Sequence, residues 1–153
     1  MTYKTLSDAG AVESLTSRLN ALSPESHRHW GRMTVHQMFC HLSDSFLVVS
    51  GHRPVATRKD NWFNRNVAKW VALRTAMPWP KGIKTMPEVD AEKGGSPPDV
   101  FERDRRKAIE LLEAFAAQTS AQVAHPLFGT MSRDDWMIWG YRHLDHHLRQ
   151  FGG

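Results

Sequence analysis

A chain of 153 residues with 41% hydrophobic and 24% charged side chains has enough apolar material for one filled core, and too much for a disordered segment. Its single cysteine, Cys40, excludes an intramolecular disulfide, and no apolar run of about 18 residues exists to span a membrane. The net charge of +4 favours anionic partners at long range but decides nothing about fold.

The opening segment, residues 1–8, lacks the apolar stretch of a secretory signal, so the expected compartment is the cytoplasm. The first helix is expected from Ser7 or Asp8 to Leu22. Val12, Leu15, Leu19 and Leu22 recur there at steps of three and four, and Ser23-Pro24 ends the run. The second opens at Thr34, with Gln37 completing a capping box, and carries the stripe Val35, Met38, Phe39, Leu42, Phe46 and Val49 before Gly51. Residues 52–95 are the least regular part. A short helix from Asn61 to Thr75 is expected with Phe63, Val67, Trp70 and Val71 inward, and then Pro78, Pro80, Gly82 and Pro87 forbid regular helix. So long a connection suits a crossover between two helices of a bundle. The third long helix is expected from Ser96-Pro97-Pro98-Asp99, with Phe101, Ala108, Leu112 and Phe115 on one face and Leu111 beside them. A turn at His125-Pro126 leads to the last helix, from Ser132 to Phe151, with Met137, Tyr141, Leu144, Leu148 and Phe151 as its buried stripe. No strand alternation competes. The expected fold is all-α, a four-helix bundle with a long crossover, formed by a single domain over residues 1–153.

Histidine placement is the most informative pattern. At about 100° per residue, His147 falls on one shoulder of the last helix's stripe and His143 a little further round. A pair at i and i+4 projects both rings from successive turns and can chelate one ion. His41 takes the matching shoulder of the second helix. Ser45 beside it and Gly140 on the last helix are small enough to leave space over an ion, and Trp30 and Trp136 are candidates for the pocket wall. His146 points nearly opposite Leu144 and is expected in solvent, as are His27, His29 and His52. Cys40 turns away from the stripe and is read as structural. Three neutral imidazoles with no fourth protein ligand would form an open site, where an ion acidifies water or polarises a substrate atom. Zinc is the default expectation. Nickel, iron and manganese suit the same nitrogen set. Spacing alone leaves the alternative open that these are packed or carbonyl-bonded core histidines.

The run Trp30-Gly31-Arg32-Met33-Thr34-Val35-His36-Gln37-Met38-Phe39-Cys40-His41-Leu42-Ser43-Asp44 resembles the second helix of the DinB/YfiT-like metalloenzyme superfamily. The ending His125-Pro126-Leu127-Phe128-Gly129, Trp136 and His143-Leu144-Asp145-His146-His147-Leu148-Arg149-Gln150-Phe151 resembles it too. Pro80-Lys81-Gly82 with Thr85-Met86-Pro87 is similar to an uncharacterised branch, one catalogued as a domain of unknown function. The resemblance covers nearly the whole chain. It implies a four-helix bundle with a long crossover and a metal held by one histidine of the second helix and two of the last, which carry over as His41, His143 and His147. It also implies a small-molecule substrate, with a low-molecular-weight thiol as the cosubstrate of better-known relatives, and a homodimer as one arrangement. The common ending has Arg directly after the last His and then Gly-Gln. Here Leu148-Arg149-Gln150 follows His147, which keeps the ligand set but departs from the thiol-transferring relatives.

The leading reading is a metal-dependent transferase or hydrolase in which His41, His143 and His147 hold the ion. Asp145 lies on another side of the last helix and receives no catalytic role. A second reading is a bundle that binds metal or a small ligand without chemistry. A third rests on the basic middle segment, where Arg58, Lys59, Arg65, Lys69 and Arg74 interleave with Trp62, Phe63 and Trp70. Such a segment can grip single strands or anionic lipid. The simpler expectation is that the aromatics pack over the bundle, with no nucleic-acid or membrane partner.

Overall fold

The computed structural model describes residues 3–56, 58–119 and 123–153. Among these residues the protein is all-helical, and the nearest approach to a strand is one isolated bridge between His125 and Gly129. The helices are α1 (Ala11–Asn20), α2 (Val35–Val49), α3 (Lys69–Arg74), α4 (Phe101–Ala117) and α5 (Arg133–Gln150). A π-helical turn (Asn64–Ala68) leads into α3, and a 3-10 turn (Pro87–Val89) lies between α3 and α4. Among the described residues, no helix is long and apolar enough to cross a membrane.

Two of the helices that matter most for the site begin with reciprocal caps. Thr34 accepts from the Gln37 amide while the Gln37 side chain accepts from the Thr34 amide, and Ser132 and Asp135 repeat the arrangement before α5. Each such cap satisfies two amides that the first helical turn would leave bare. α2 is buried on nearly every side, as befits a segment of high apolar content at the centre of a helical assembly. It packs along α4, while α1 touches α4 and α5, and α4 meets α5. Leu15, Leu19, Met38, Phe39, Leu42, Phe46, Leu112, Phe115, Leu144 and Leu148 form the dry centre.

The structure corrects several boundaries and faces. α1 starts at Ala11 rather than at Ser7 or Asp8. Asp8 instead closes a turn by accepting from the Thr5 amide, and Gly10, with φ 75°, sits in a left-handed conformation that a helix cannot contain. α4 starts at Phe101, past Ser96, Pro97, Pro98 and Asp99, because Ser96 is bonded to Asp44 rather than capping a helix. Phe101 and Leu111 are only partly buried, and so is Tyr141 in the α5 stripe. The largest correction concerns the α3 region. Trp62, Phe63 and Trp70 are 73%, 57% and 59% exposed and Val67 is also exposed, whereas Leu73 is buried. The π-helical turn at 64–68 adds a residue to the repeat, so the 3.6-residue periodicity does not carry across it. The basic segment's aromatics Trp62, Phe63 and Trp70 therefore face solvent, whereas Trp79, beyond α3, is partly buried.

Residues 50–56 and 58–100 lie between α2 and α4, and Asp44 pins them near both ends. The Asp44 carboxylate, wholly buried on α2, accepts from Arg53 at 2.9 Å and from the Ser96 amide and hydroxyl at 2.6 and 2.7 Å. In the middle, Arg142 on α5 donates to the carbonyls of Thr75 (2.7 Å) and Met77, and the Trp79 indole donates to the Ala72 carbonyl at 2.9 Å. These bonds hold Trp79 against α5.

Candidate metal centre

α2 and α5 bring three imidazoles together. His41, His143 and His147 are 6%, 7% and 7% exposed, and one ring nitrogen of each lies within 4.8 Å of the other two. Ring centroids are 5.2 Å apart for His41 and His143, 4.7 Å for His41 and His147, and 4.9 Å for His143 and His147. Their planes cross at 64–82°, so the rings meet by their edges around a shared point rather than stacking.

Partners fix the tautomers. His41 Nδ1 donates to the Val89 carbonyl at 2.9 Å, which leaves Nε2 as a lone pair. The Gln150 side chain donates through Nε2 to the Trp30 carbonyl, so its Oε1 accepts from His147 Nδ1 at 3.1 Å and frees the Nε2 lone pair of that ring. His143 Nε2 stands 3.1 Å from His41 Nε2, and its Nδ1 is buried with no hydrogen-bond partner. The centre thus holds two lone pairs and one proton to share between them. Burial, first of all, holds all three rings below the usual histidine pKa, and the neighbouring imidazoles push His143 and His147 further the same way.

This donor set fits a divalent transition ion. Two nitrogens about 2.1 Å from a tetrahedral ion stand about 3.4 Å apart, close to the 3.1 Å between His41 and His143. Metal-bound histidines almost always donate their other N–H to a carbonyl, carboxylate or water, and two of the three rings already do so. The rings are neutral, as coordination requires.

A scan against family models matches residues 4–152 to DUF1569, a protein family of unknown function. The chain belongs to that family. Searches of curated proteins and of solved structures find no match. DUF1569 membership bears out the expected domain of unknown function and assigns no chemistry.

Trp30 reaches the centre through its carbonyl bond to Gln150, and its ring lies 5.9 Å from His146. Ser45 is buried on α2. Gly140 does not open space over the triad: a Cβ there would come within 2.5 Å of Leu6 and 3.1 Å of Phe115, so its smallness serves packing of the N-terminal segment on α5. Trp136 packs on Phe115, His125 and Trp139. The rings beside His143 are Trp139, at 5.0 Å, and Trp79, at 6.1 Å. Trp139 is not among the residues the spacing singled out, although 139, 143 and 147 share one helical face. Trp79 leaves no such signal, because only the folded connection between α3 and α4 brings it there. His146 is half-buried rather than solvated, with Trp30, Trp79 and His147 around it. His27, His29 and His52 are exposed, and Asp145 pairs with Arg18 and Arg149. Cys40 is buried, and burial with the nearby Asp104 and Asp44 carboxylates pushes its thiol up to about 12.

His125 is a separate buried histidine. Its Nδ1 accepts from the amides of Leu127 and Phe128, and its ring stacks on Phe128. Burial, then the charge of Arg58, lower its pKa to about 3, and the two amides leave no room for a proton on Nδ1. The unfolded chain therefore takes up this proton near pH 6.5 while the folded chain refuses it until about pH 3. Stability from this group is complete above about pH 6.5 and is lost as pH falls, by about 1.4 kcal/mol per unit within that window. His125→Asn keeps an acceptor for both amides without titrating. Urea unfolding at a series of pH values is expected to show a slope about one proton shallower for this variant. An unchanged slope would contradict the assignment.

Proposed function

We propose that His41, His143 and His147 hold one divalent transition ion, zinc in first place with nickel, iron or manganese as the other candidates, in a metal-dependent enzyme acting on a small molecule. A low-molecular-weight thiol is the candidate cosubstrate. The observation that carries this reading is the convergence of three buried, neutral imidazoles, two of them oriented by oxygen acceptors behind the ring. When bound, such an ion lowers the pKa of a coordinated thiol or water and polarises a substrate atom. The chain's own residues bind and orient: Val89 and Gln150 hold His41 and His147, while Trp79 and Trp139 keep water from the His143 side. We also infer that α1, α2, α4 and α5 form a four-helix bundle of the DinB/YfiT type, with residues 50–100 as its crossover, working in the cytoplasm. The contacts of α4 with α1, α2 and α5 support that arrangement.

Elemental analysis of protein purified without a histidine tag is expected to find at least one transition ion per chain, and His143→Ala is expected to carry about one fewer. A wild-type chain that carries no ion and takes up neither zinc nor nickel ends the proposal. The burial of all three rings favours, as a second reading, a bundle that binds metal without chemistry. Metal-loaded protein that stays inert across a broad panel of thiols and electrophiles would select it.

A further inference from the structure

A second group of metal-ligating side chains stands on another face of α2. His36 and Cys40 are separated by one helical turn, and Asp104 projects toward them from α4. His36 Nε2 is 2.8 Å and Cys40 Sγ 3.9 Å from the same oxygen, Asp104 Oδ2, and the three ligand atoms all lie within 4.8 Å of one another. We propose that His36, Cys40 and Asp104 form a second divalent-metal site, distinct from the histidine triad and distinguished from it by a thiolate ligand.

The arrangement has the features a coordination site needs. An i, i+4 pair on one helix with a third ligand from a packed neighbour places three donors around one point without loops to organise them. With bonds of about 2.3 Å to sulfur and about 2.0–2.2 Å to nitrogen and oxygen, tetrahedral ligand atoms stand about 3.3–3.7 Å apart, a range between the 2.8 and 3.9 Å found here, so binding opens the His36–Asp104 pair by about half an ångström and closes the Cys40–Asp104 pair by a few tenths. Asp104 Oδ2 also accepts from the Asp99 amide at 2.9 Å, so three donors crowd one carboxylate oxygen. A cation relieves that crowding by taking the place of two of their protons. The cysteine thiol loses its proton to solvent as the metal–sulfur bond forms, the His36 proton moves from Nε2 to Nδ1 by exchange with solvent so that Nε2 offers its lone pair, and the thiolate and carboxylate together neutralise the ion's charge. The side chains of His36 and Asp104 are 22% and 15% exposed, so the ion has a path from solvent. The Phe101 ring, whose centroid is 5.4 Å from that of His36, walls the site on one side. A sulfur, nitrogen and oxygen set of this kind suits zinc or cobalt.

Cobalt(II) separates the two sites, because only a thiolate ligand gives a sulfur-to-cobalt charge-transfer band in the near ultraviolet. Metal-free full-length protein is titrated with cobalt(II) alone. The band is expected to saturate within two equivalents per chain in the wild type, where the triad takes up the other ion, to saturate at one equivalent in His143→Ala, and to vanish in Cys40→Ser. His36→Asn and Asp104→Asn leave the sulfur in place and nearly preserve volume. Each is expected to weaken the band's apparent affinity by at least about a hundredfold, the upper end of the cost of losing a mere outer-shell partner. These two variants decide the matter if Cys40→Ser does not fold. No sulfur band in the wild-type chain overturns the proposal, and so does a band that survives both variants at unchanged affinity. Loss of the triad's ion would leave the sulfur band untouched, so failure of one site is not mistaken for failure of the other.

Discussion

Replacing Asp44 with alanine is expected to lower the unfolding free energy by about 3–5 kcal/mol, the range for removing one partner of a buried ion pair. The carboxylate has no exposure, and three groups depend on it: the Arg53 guanidinium and the amide and hydroxyl of Ser96. Alanine strands the Ser96 amide without its acceptor and a largely buried guanidinium without its counter-charge, and each orphaned group adds its own desolvation cost. The effect extends beyond stability. Arg53 and Ser96 stand at the two ends of the crossover that delivers the Val89 carbonyl to His41, so the same variant is expected to bind metal more weakly. Asp44→Asn, which retains an acceptor and the volume, should lie between wild type and alanine. Urea denaturation of the metal-free proteins checks the order. A loss under about 1 kcal/mol for Asp44→Ala would mean that the crossover is held elsewhere.

What the sequence disclosed followed from local chemistry. The caps at Thr34 and Ser132 are reciprocal side-chain and backbone pairs within four residues, so they are legible one segment at a time. The triad was legible for a similar reason: two rings one turn apart on α5, and a third on the matching shoulder of an apolar helix, need only regular helix geometry to be placed. The start of α4 was misread because Pro97, Pro98 and Asp99 are good first-turn residues, yet Ser96 serves Asp44, more than 50 residues away, and no local rule contains that bond. The inward face of α3 was misread because a π-helical turn breaks the periodicity on which such readings depend.

The groups that orient the triad divide along the same line. Gln150 lies three residues after His147 and so on its face, a neighbour that spacing could have named. Val89 offers a backbone carbonyl from a 3-10 turn inside an irregular stretch, and backbone carbonyls leave no mark in a sequence. Gly140 misled for a different reason. Glycine in a helix signals a close approach, but the sequence does not say by what, and here the approaching groups are Leu6 and Phe115 rather than an ion.

Gln150→Leu is expected to weaken metal binding about 10–100-fold while leaving all three ligands in place. The glutamine is buried and bridges two elements: its Oε1 accepts from His147 Nδ1, and its Nε2 donates at 2.9 Å to the Trp30 carbonyl in the segment that precedes α2. The backbone closes the same junction, since the His29 amide donates to the Gln150 carbonyl at 2.7 Å, and a Cβ on Gly31 would lie 2.6 Å from the Gln150 amide nitrogen. Leucine fills the space but offers no acceptor. His147 is then free to turn its ring or to move its proton to the nitrogen that faces the ion, and either change competes with coordination. A positioning role and a merely structural one differ in their readout. Competition titration with a zinc-binding dye should show the affinity loss for Gln150→Leu at a temperature where circular dichroism finds the chain fully helical. His147→Ala, which removes the ligand itself, should lose more. Equal affinities for wild type and Gln150→Leu would show that the glutamine closes the junction with Trp30 and leaves the orientation of His147 to the ion.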